Sequence, residues 1–562
     1  MPPDKPVLTD QEYSDPARGP GAGIARGAAL IAGLTVLSRL MGLVRTLVFS
    51  QSVGADCLGT AYITANQIPN LIYELVLGGA LTSAMVPVLA RSAELAAYDP
   101  EERARIGQIT SALLTWSVLI LAPLTLITAA AAGPIASLLN PVNAHADCIH
   151  ADMVSDTQNM LEVFSPQVLL YGLSVVLFGL LQAYRRFTAP ALAPLISSLV
   201  LIASYLVFAA LDQGLPLART PLTAELILAA GTTLGVAALV IAALPAMRRL
   251  HLRLRPALRF PAGVGRRAGG LALVGVIELV TIDVANVVVI ALANGRGDTG
   301  ALVIFNYASL VFNAIYAVLA LSVVTSAFPV LSARNGPAFD EACAGSTRAV
   351  LLLSWLGTAV VAAIAVPIAH VLAKRPDQVP ELIEGFALFA PGMVGVAVIA
   401  NLSRVMFAIG RLRMAAVALA GSWLLVIAAD LVLAGLAPPR HVVAALALGN
   451  TIGQTALAIP LVVVTRKVCG RAALHGTGYA AAASLAAAAA GAAAGVVVSL
   501  AIPASGRLLS IGIAIVAAAC ATAAFGLVAY LLDRGDLKVL ASRLRPYLQR
   551  AGLRRTGTTG RS

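Results

Sequence analysis

The chain has little charge and carries no familiar catalytic motif. Asp, Glu, Lys and Arg make up 12% of its 562 residues, whereas a soluble protein contains about 25%. So few charges cannot cover a water-facing surface of this size, which excludes an ordinary soluble enzyme. The sequence also lacks HExxH, GxSxG, P-loop and helix-preceding GxGxxG motifs, so we expect no enzymatic activity and no cofactor.

Cysteine is also scarce. The five cysteines are Cys57, Cys148, Cys343, Cys469 and Cys520. No two of them have the CxxC spacing of a metal or redox site, so no metal is expected. Cys57 and Cys148 fall in predicted outside loops, where disulfides are permitted, but the spacing alone leaves their pairing open. The polar N-terminus lacks the basic and then apolar order of a signal peptide.

Long apolar runs are what the sequence has in excess, since 59% of its residues are hydrophobic. A helix needs about 20 apolar residues to span a bilayer. The segments that satisfy this length are 24–50, 61–90, 108–132, 160–184, 189–211, 222–246, 268–292, 301–331, 347–373, 380–409, 413–436, 441–465, 474–502 and 508–532. The sequence therefore predicts an all-α integral membrane protein with about 14 transmembrane helices.

Positive charge is distributed so that it orients these helices. With the N-terminus in the cytoplasm, the inside segments contain 30 of the 39 Lys and Arg residues, and the outside loops contain 6. Membrane proteins place this excess on the cytoplasmic side, so both termini are expected there. The net charge of +12 thus indicates a lipid bilayer as partner rather than nucleic acid. Three arginines remain inside predicted helices.

A basic linker at residues 247–267, with seven arginines, divides the chain. It is expected either as an interfacial amphipathic segment on anionic lipid or as a solvated connector. The other predicted parts are a disordered cytoplasmic N-terminus (1–23), an N-lobe of six helices (24–246), a C-lobe of six helices (268–465), two further helices (466–532) and a basic cytoplasmic tail (533–562).

Two short patterns indicate how the helices are arranged. Residues 86–91 and 328–334 end the second helix of each half with similar Pro-containing sequences, which favours two repeats of one orientation. Gly231 and Gly235, like Gly491 and Gly495, have the small-residue spacing that permits close helix packing. A lipid-facing role is the alternative for the Ala-rich run around the second pair.

The charges inside the predicted helices are candidate functional residues, because charge in a membrane is costly and marks cavities or partners. Arg39 and Arg45 on helix 1 are predicted to bind an anion in a central cavity, and Arg404 on helix 10 is a third candidate. Snorkelling to the interface or an ion pair with a neighbouring helix is the alternative for each.

Acidic residues provide the second group of candidates. Asn70 and Glu74 on helix 2 are predicted to bind substrate, and Glu74 is alternatively predicted to neutralise Arg45 or carry a proton. Glu278 and Asp283 on helix 7 are five residues apart and are predicted as an ion-coupling site. The remaining acids inside helices are Glu225 and Asp430. A structural role is the alternative for all of these acids.

Three segments resemble the MurJ/MviN family of lipid II flippases in the MOP exporter superfamily. They are LSRLMGLVR at 37–45, PNLIYELVLGG at 69–79 and RRFTAPALAP at 185–194. The likeness extends over helices 1 to 12, and the second segment has the form of the actinobacterial branch. Departures are Thr46, Ser309 and Leu310, at positions where many relatives carry charge.

The resemblance implies a V-shaped pair of lobes that works by alternating access. It also implies a cationic cavity for an undecaprenyl-pyrophosphate-linked peptidoglycan precursor, lipid II, which would move from the inner to the outer leaflet of the bacterial cytoplasmic membrane. Arg39 and Arg45 match the family's helix 1 arginines, and Arg404 matches a basic position on helix 10. A guanidinium suits a pyrophosphate because its forked donors meet phosphate oxygens directly.

Other functions stay open from the sequence alone. A different MOP-type polysaccharide-lipid flippase or a cation or drug antiporter would keep the same fold. A non-transporting scaffold that binds cell-wall synthesis proteins is a third hypothesis, because the departures remove charge from the expected cavity.

Overall fold

The computed structural model of the chain describes residues 20–76, 99–143, 147–212, 222–250, 252, 254–258, 269–502 and 506–535. Helices connected by short turns and loops make up this part of the chain, without strands. The all-α prediction is therefore confirmed.

The helices follow the order of the predicted membrane spans. The N-lobe contains α1 (Pro20–Ser52), α2 (Cys57–Val76), α3 (Pro100–Ala130, extended by Ala132–Leu139), α4 (His150–Phe164 and Pro166–Ala183), α5 (Thr188–Asp212) and α6 (Leu222–Arg248). The C-lobe contains α7 (Gly269–Arg296), α8 (Ala301–Tyr316, Ala317–Leu321 and Ser322–Ser332), α9 (Pro337–Leu372), α10 (Gln378–Phe389 and Gly392–Ala408), α11 (Leu412–Leu436) and α12 (Val442–Cys469). The last two helices are α13 (Thr477–Ala501) and α14 (Arg507–Leu532).

Within the described residues, 12 helices, α3 to α14, are long and apolar enough to cross a membrane. The chain is thus a multi-pass membrane protein. Helices α1 and α2 lie where the first two spans were predicted. The structure does not describe the side chains near the start of α1. The total of 14 spans therefore stays a prediction.

The same helix pairings recur in the two lobes. In the N-lobe, α1 packs on α5, α5 on α6, and α4 on α2, α3 and α6. In the C-lobe, α7 packs on α11, α11 on α12, and α10 on α8, α9 and α12. The sequence similarity that led us to expect a repeat lies partly at 86–91, outside the described residues, but the pairings are independent of it.

Both fourth helices, α4 and α10, are interrupted at a proline. The sequences are Phe164-Ser165-Pro166 and Phe389-Ala390-Pro391. Proline lacks the backbone N–H that continues a helix, so each break follows from the local sequence. This repeated Phe-x-Pro pattern was a signal of internal repetition that the sequence analysis overlooked.

Helix α13 packs between α9 and α14 through its glycines. A Cβ atom on Gly491 would lie 2.8 Å from the Ala521 carbonyl oxygen, and one on Gly495 would overlap Ala363. A Cβ atom on Gly231 in α6 would likewise overlap Ser204 in α5. The predicted close packing of both glycine pairs is confirmed.

The hydrophobic core is shared between the lobes at one end of the molecule and divided at the other. We call the first the joined end; its core includes Phe49, Tyr62, Ile290, Ile304 and Phe386, from both lobes. We call the second the divided end; there Ile106, Leu180 and Met247 pack within the N-lobe, and Leu331, Val405 and Met406 pack within the C-lobe. The lobes are therefore packed together at the joined end and separate at the divided end.

Candidate functional site

Polar side chains reinforce the contact between the lobes at the joined end. The Lys374 Nζ atom donates to the Val53 carbonyl at 3.0 Å and lies 3.8 Å from Asp56 Oδ2. Gln378 Nε2 donates to the Ala55 carbonyl at 2.7 Å. Burial raises the pKa of the Asp56 carboxyl, and the Gly59 N–H and Lys374 oppose this shift by stabilising the ionised form. The turn between α1 and α2 is thus fixed to the turn between α9 and α10.

A second set of contacts fixes α7 to the N-lobe at the same end. Asn294 Nδ2 donates to Thr64 Oγ1 and to the Leu139 carbonyl, both at 2.9 Å. Asn143 Nδ2 donates to the carbonyls of Asn294 and Gly297 at 2.9 and 2.8 Å. These amides satisfy carbonyls across the lobe interface, so the joined end is closed by directional bonds as well as by apolar packing.

A disulfide lies beside these contacts. Cys57 and Cys148 are bonded, with their Cα atoms 5.7 Å apart. The bond ties the start of α2 to the loop before α4. The pairing that the spacing left open is therefore present in the structure.

Tyr171 on α4 bonds to Asn70 on α2 and interacts electrostatically with Arg45 on α1. The Tyr171 hydroxyl donates to Asn70 Oδ1 at 3.0 Å, and its ring lies 4.4 Å from that of Tyr73. The Arg45 guanidinium is close enough to Tyr62 and Tyr171 to interact with them electrostatically. This cluster therefore contains one cation among phenol and amide groups.

The acidic candidates interact electrostatically with groups on other helices. Glu74 is exposed and interacts electrostatically with Asp283 on α7. Glu278 instead interacts with Arg404 on α10 and with Tyr316 on α8. The structure thus groups Glu74 with Asp283 and Glu278 with Arg404. A cation held jointly by Glu278 and Asp283 stays a prediction.

The charged candidates have no ion-pair partner among the described residues. No salt bridge within 4.0 Å joins Arg45, Arg404, Glu74, Glu278 or Asp283 to another described residue. Arg404 Nη1 and Asp283 Oδ1 are buried atoms without a hydrogen-bond partner in the part of the chain that the structure describes. Charges left in this state attract ions of opposite sign, so the arrangement is suited to binding a charged cargo or coupling ion.

Arg39 stands apart from the other candidates. It is exposed on α1, six residues from Arg45 and nearer the divided end. No hydrogen bond or ion pair joins it to another described residue. Its placement is compatible with the predicted anion binding and with snorkelling, so its role stays a prediction.

Tyr171 was not predicted from the sequence, and Asp430 was named among the acids inside helices without a specific role. Tyr171 becomes important only because α4 brings it to Asn70, a contact that no local pattern marks. Asp430 on α11 is 1% exposed, and neither carboxyl oxygen has a hydrogen-bond partner among the described residues. It faces Gly449 on α12, where a Cβ atom would overlap its carboxyl group. Its position in an apolar helix was the signal that pointed to it.

Known proteins that are similar to the chain agree with this architecture. A probable lipid II flippase MurJ of Synechocystis sp. is 31% identical over 248 residues, which cover 42% of this chain and 43% of that protein. A lipid II flippase MurJ of Burkholderia cenocepacia is 29% identical over 181 residues, covering 32% of this chain and 33% of that protein. The chain thus matches less than half the length of these relatives.

Solved structures extend the likeness to almost the whole fold. A structure described as lipid II flippase MurJ in an inward closed conformation matches with a TM-score of 0.67 at 17% identity, covering 89% of this chain and 99% of that one. An inward-facing MATE transporter of the MOP superfamily matches with a TM-score of 0.61 at 12% identity, covering 78% and 97%. The family described as Lipid II flippase MurJ matches residues 49–530. The chain belongs to the MurJ lipid II flippase family.

Proposed function

We propose that the chain moves lipid II from the inner to the outer leaflet of the bacterial cytoplasmic membrane by alternating access. The observation that carries the proposal is the contrast between the two ends. The lobes share one core at the joined end, and at the divided end each has its own core. A cargo would enter between the lobes at the divided end and leave after the joined end opens.

The disulfide and the distribution of positive charge support this direction. Disulfides form in oxidising compartments, and the bond between Cys57 and Cys148 lies at the joined end. The Lys and Arg excess is in segments that flank the divided end, where cytoplasmic loops are expected. The joined end therefore faces outward in this proposal, and both termini lie in the cytoplasm.

Arg45 and Arg404 are the groups we assign to the pyrophosphate. They lie on different lobes, and neither is paired with a described acid within 4.0 Å. An anionic head group between the lobes would satisfy both guanidiniums, each through charge-assisted hydrogen bonds. Asn70 and the exposed Glu74 would contact the sugar or peptide portion, and Arg39 would meet the head group on entry. The polyprenyl tail would remain in lipid.

The energy for translocation is assigned to an ion gradient or the membrane potential, since the sequence has no nucleotide-binding motif. Asp283 and Asp430 each have a buried carboxyl oxygen with no hydrogen-bond partner among the described residues, and Glu278 interacts electrostatically with Arg404. A carboxylate in an apolar core is costly without a counter-ion or a proton. These acids are the candidate coupling sites.

The proposal is tested by depleting the protein in its host and measuring whether lipid II can be reached by an outside probe. Accessible lipid II should fall while total lipid II is maintained or rises, and expression of the wild-type chain should restore access. Unchanged accessibility, in cells where no second flippase compensates, would refute the proposed cargo and direction.

A cation or drug antiporter is the second candidate, favoured by the proximity of Glu74 and Asp283. Like charges close together would bind a cationic cargo. Efflux of a cationic dye from vesicles distinguishes the two functions. Dye transport that is lost in Glu74→Gln, together with normal lipid II accessibility after depletion, would favour the antiporter.

A further inference from the structure

An apolar groove opens on the N-lobe at the divided end, outside the cleft between the lobes. Its volume is about 370 Å³, within the range of about 300–1,000 Å³ that is typical of ligand sites. Leucine, valine and methionine side chains line it, including Leu114 of α3, Leu177 of α4 and Leu244 of α6. The charged residue in the lining is Arg248, in the last turn of α6.

The linker between the lobes forms one wall of this groove and is fixed to α3. The Arg255 N–H donates to Ser111 Oγ and the Ala257 N–H donates to Thr115 Oγ1, both at 3.1 Å. The indole N–H of Trp116 donates to the carbonyl of Leu258, also at 3.1 Å. These bonds hold the described part of the linker against α3 in a non-helical conformation, so it is not a free connector there.

The groove combines apolar and cationic residues in the way expected at the boundary between lipid chains and head groups. Trp side chains concentrate at the level of the lipid head groups, and the exposed Trp116 marks that level on α3. Leu252 and Leu254 of the linker line the groove. The exposed side chain of Arg248 lies where the groove meets the basic linker. One end of the site is therefore cationic and the rest is apolar.

We propose that this groove binds an anionic phospholipid of the inner leaflet, with an acyl chain on its apolar wall and the phosphate at Arg248. Charge complementarity favours this occupant, because the cytoplasmic leaflet carries anionic lipids that basic segments attract. The helices α1, α2, α7 and α10, which carry the charged cargo candidates, contribute no described lining residue. The occupant is thus a resident lipid, distinct from the transported one.

The bound lipid would stabilise the linker on α3. Because the linker connects α6 to α7, the lipid would also influence how the two lobes move relative to each other. This inference does not depend on the identity of the cargo, and its test requires no transport measurement.

The test uses the purified full chain in phosphatidylcholine vesicles with a trace of photoactivatable phospholipid whose reactive group is on the acyl chain. We expect a phosphatidylglycerol probe to label the α3 and α6 segments around Leu114 and Leu244 about fivefold more than a phosphatidylcholine probe with identical chains. Arg248→Gln should remove this preference. The matched control is Arg466→Gln, an exposed arginine in the last turn of α12, and it should leave the preference intact.

Filling the groove provides an independent check. Leu244→Trp and Leu114→Trp lie on different helices, and each should abolish labelling at the groove while labelling elsewhere persists. Equal labelling by the two probes in the wild-type protein, or an unchanged preference in Arg248→Gln, would overturn the proposal. Preferential labelling of the groove by a photoactivatable polyprenyl phosphate would overturn it as well, because the occupant would then be a cargo tail.

Discussion

The joined and divided ends use polar side chains in opposite ways. At the joined end, Lys374, Gln378 and Asn294 form hydrogen bonds from one lobe to backbone carbonyls or side chains of the other. At the divided end, Arg404 has no ion pair with a described residue, and Arg45, which lies on α1 one turn before the joined-end core residue Phe49, has none either. Polar groups that are hydrogen-bonded to each other stabilise an interface. Charged side chains without a partner instead favour binding of an oppositely charged ligand. The difference indicates that the joined end is a closed interface between the lobes and that the unpaired arginines belong to a binding surface.

The largest effect on transport is expected when a covalent cross-link prevents the joined end from opening. Gln51 Nε2 donates to the Val371 carbonyl at 3.1 Å across the joined end. Bridging Gln51→Cys and Val371→Cys with a short reversible thiol cross-linker, in a background whose free cysteines are alanine, should abolish transport. Reductant that cleaves the cross-link should restore it.

Each single-cysteine variant treated with the same reagent is the control and should remain active. Lipid II accessibility in cells provides the measurement. Full transport by a protein cross-linked to completion would mean that the joined end does not need to open.

Removing a charge from the divided end should have the next largest effect. Arg404→Ala deletes a guanidinium with a buried, unpartnered Nη1 atom, and we expect a loss of about tenfold in transport rate, the order of one charged hydrogen bond. Arg404→Lys keeps the positive charge but loses the paired N–H donors of the guanidinium. Its transport rate should therefore lie between those of the wild type and Arg404→Ala. If Arg404→Ala and Arg404→Lys both match the wild-type rate at equal expression, Arg404 does not contact the cargo.

A substitution where α13 packs against α9 should lower the stability of the fold without altering the residues proposed to bind the cargo. Gly495→Leu would overlap Ala363 on α9, which should cost about 1–3 kcal/mol of the free energy of unfolding. Gly512→Leu on α14 is the matched control, because a Cβ atom there meets nothing within 4 Å. Thermal unfolding of the purified proteins measures the difference, and equal melting temperatures would contradict the assigned packing.

The smallest effect is expected in the cluster that contains Arg45. Tyr171→Phe removes the 3.0 Å hydrogen bond to Asn70 and should reduce lipid II affinity about threefold, as expected for one net hydrogen bond. Tyr479→Phe is the control, because Tyr479 donates to Leu532 on α14, away from the cleft. A Tyr171→Phe protein with wild-type affinity would remove Tyr171 from the proposed binding site.

Most of the fold was predictable because membrane spanning imposes a strict length of apolar sequence. The prediction failed where helices extend beyond the apolar segment that spans the bilayer. Helix α4 begins at His150 and α9 at Pro337, each 10 residues before its predicted span. Polar residues there continue a helix that hydropathy alone does not register. The breaks at Pro166 and Pro391 were visible in the sequence and were overlooked.

The candidate site was less predictable than the fold. The types of residue could be predicted, since charges inside spans are rare and stand out. Their neighbours depend on how each helix is rotated and where it crosses the next, and one sequence does not contain that information. For example, the expectation that Glu74 neutralises Arg45 or carries a proton did not include the interaction of Glu74 with Asp283 on α7.

The central claim is that Arg45 and Arg404, one on each lobe and neither in an ion pair with a described residue, bind the pyrophosphate head group of lipid II. Native mass spectrometry of the purified protein titrated with lipid II tests it most directly, with Arg45→Ala compared with wild type and with the exposed cytoplasmic-end variant Arg466→Ala. We predict that Arg45→Ala weakens binding at least about tenfold and that Arg466→Ala does not. Equal affinity for wild type and a folded Arg45→Ala protein would contradict the account.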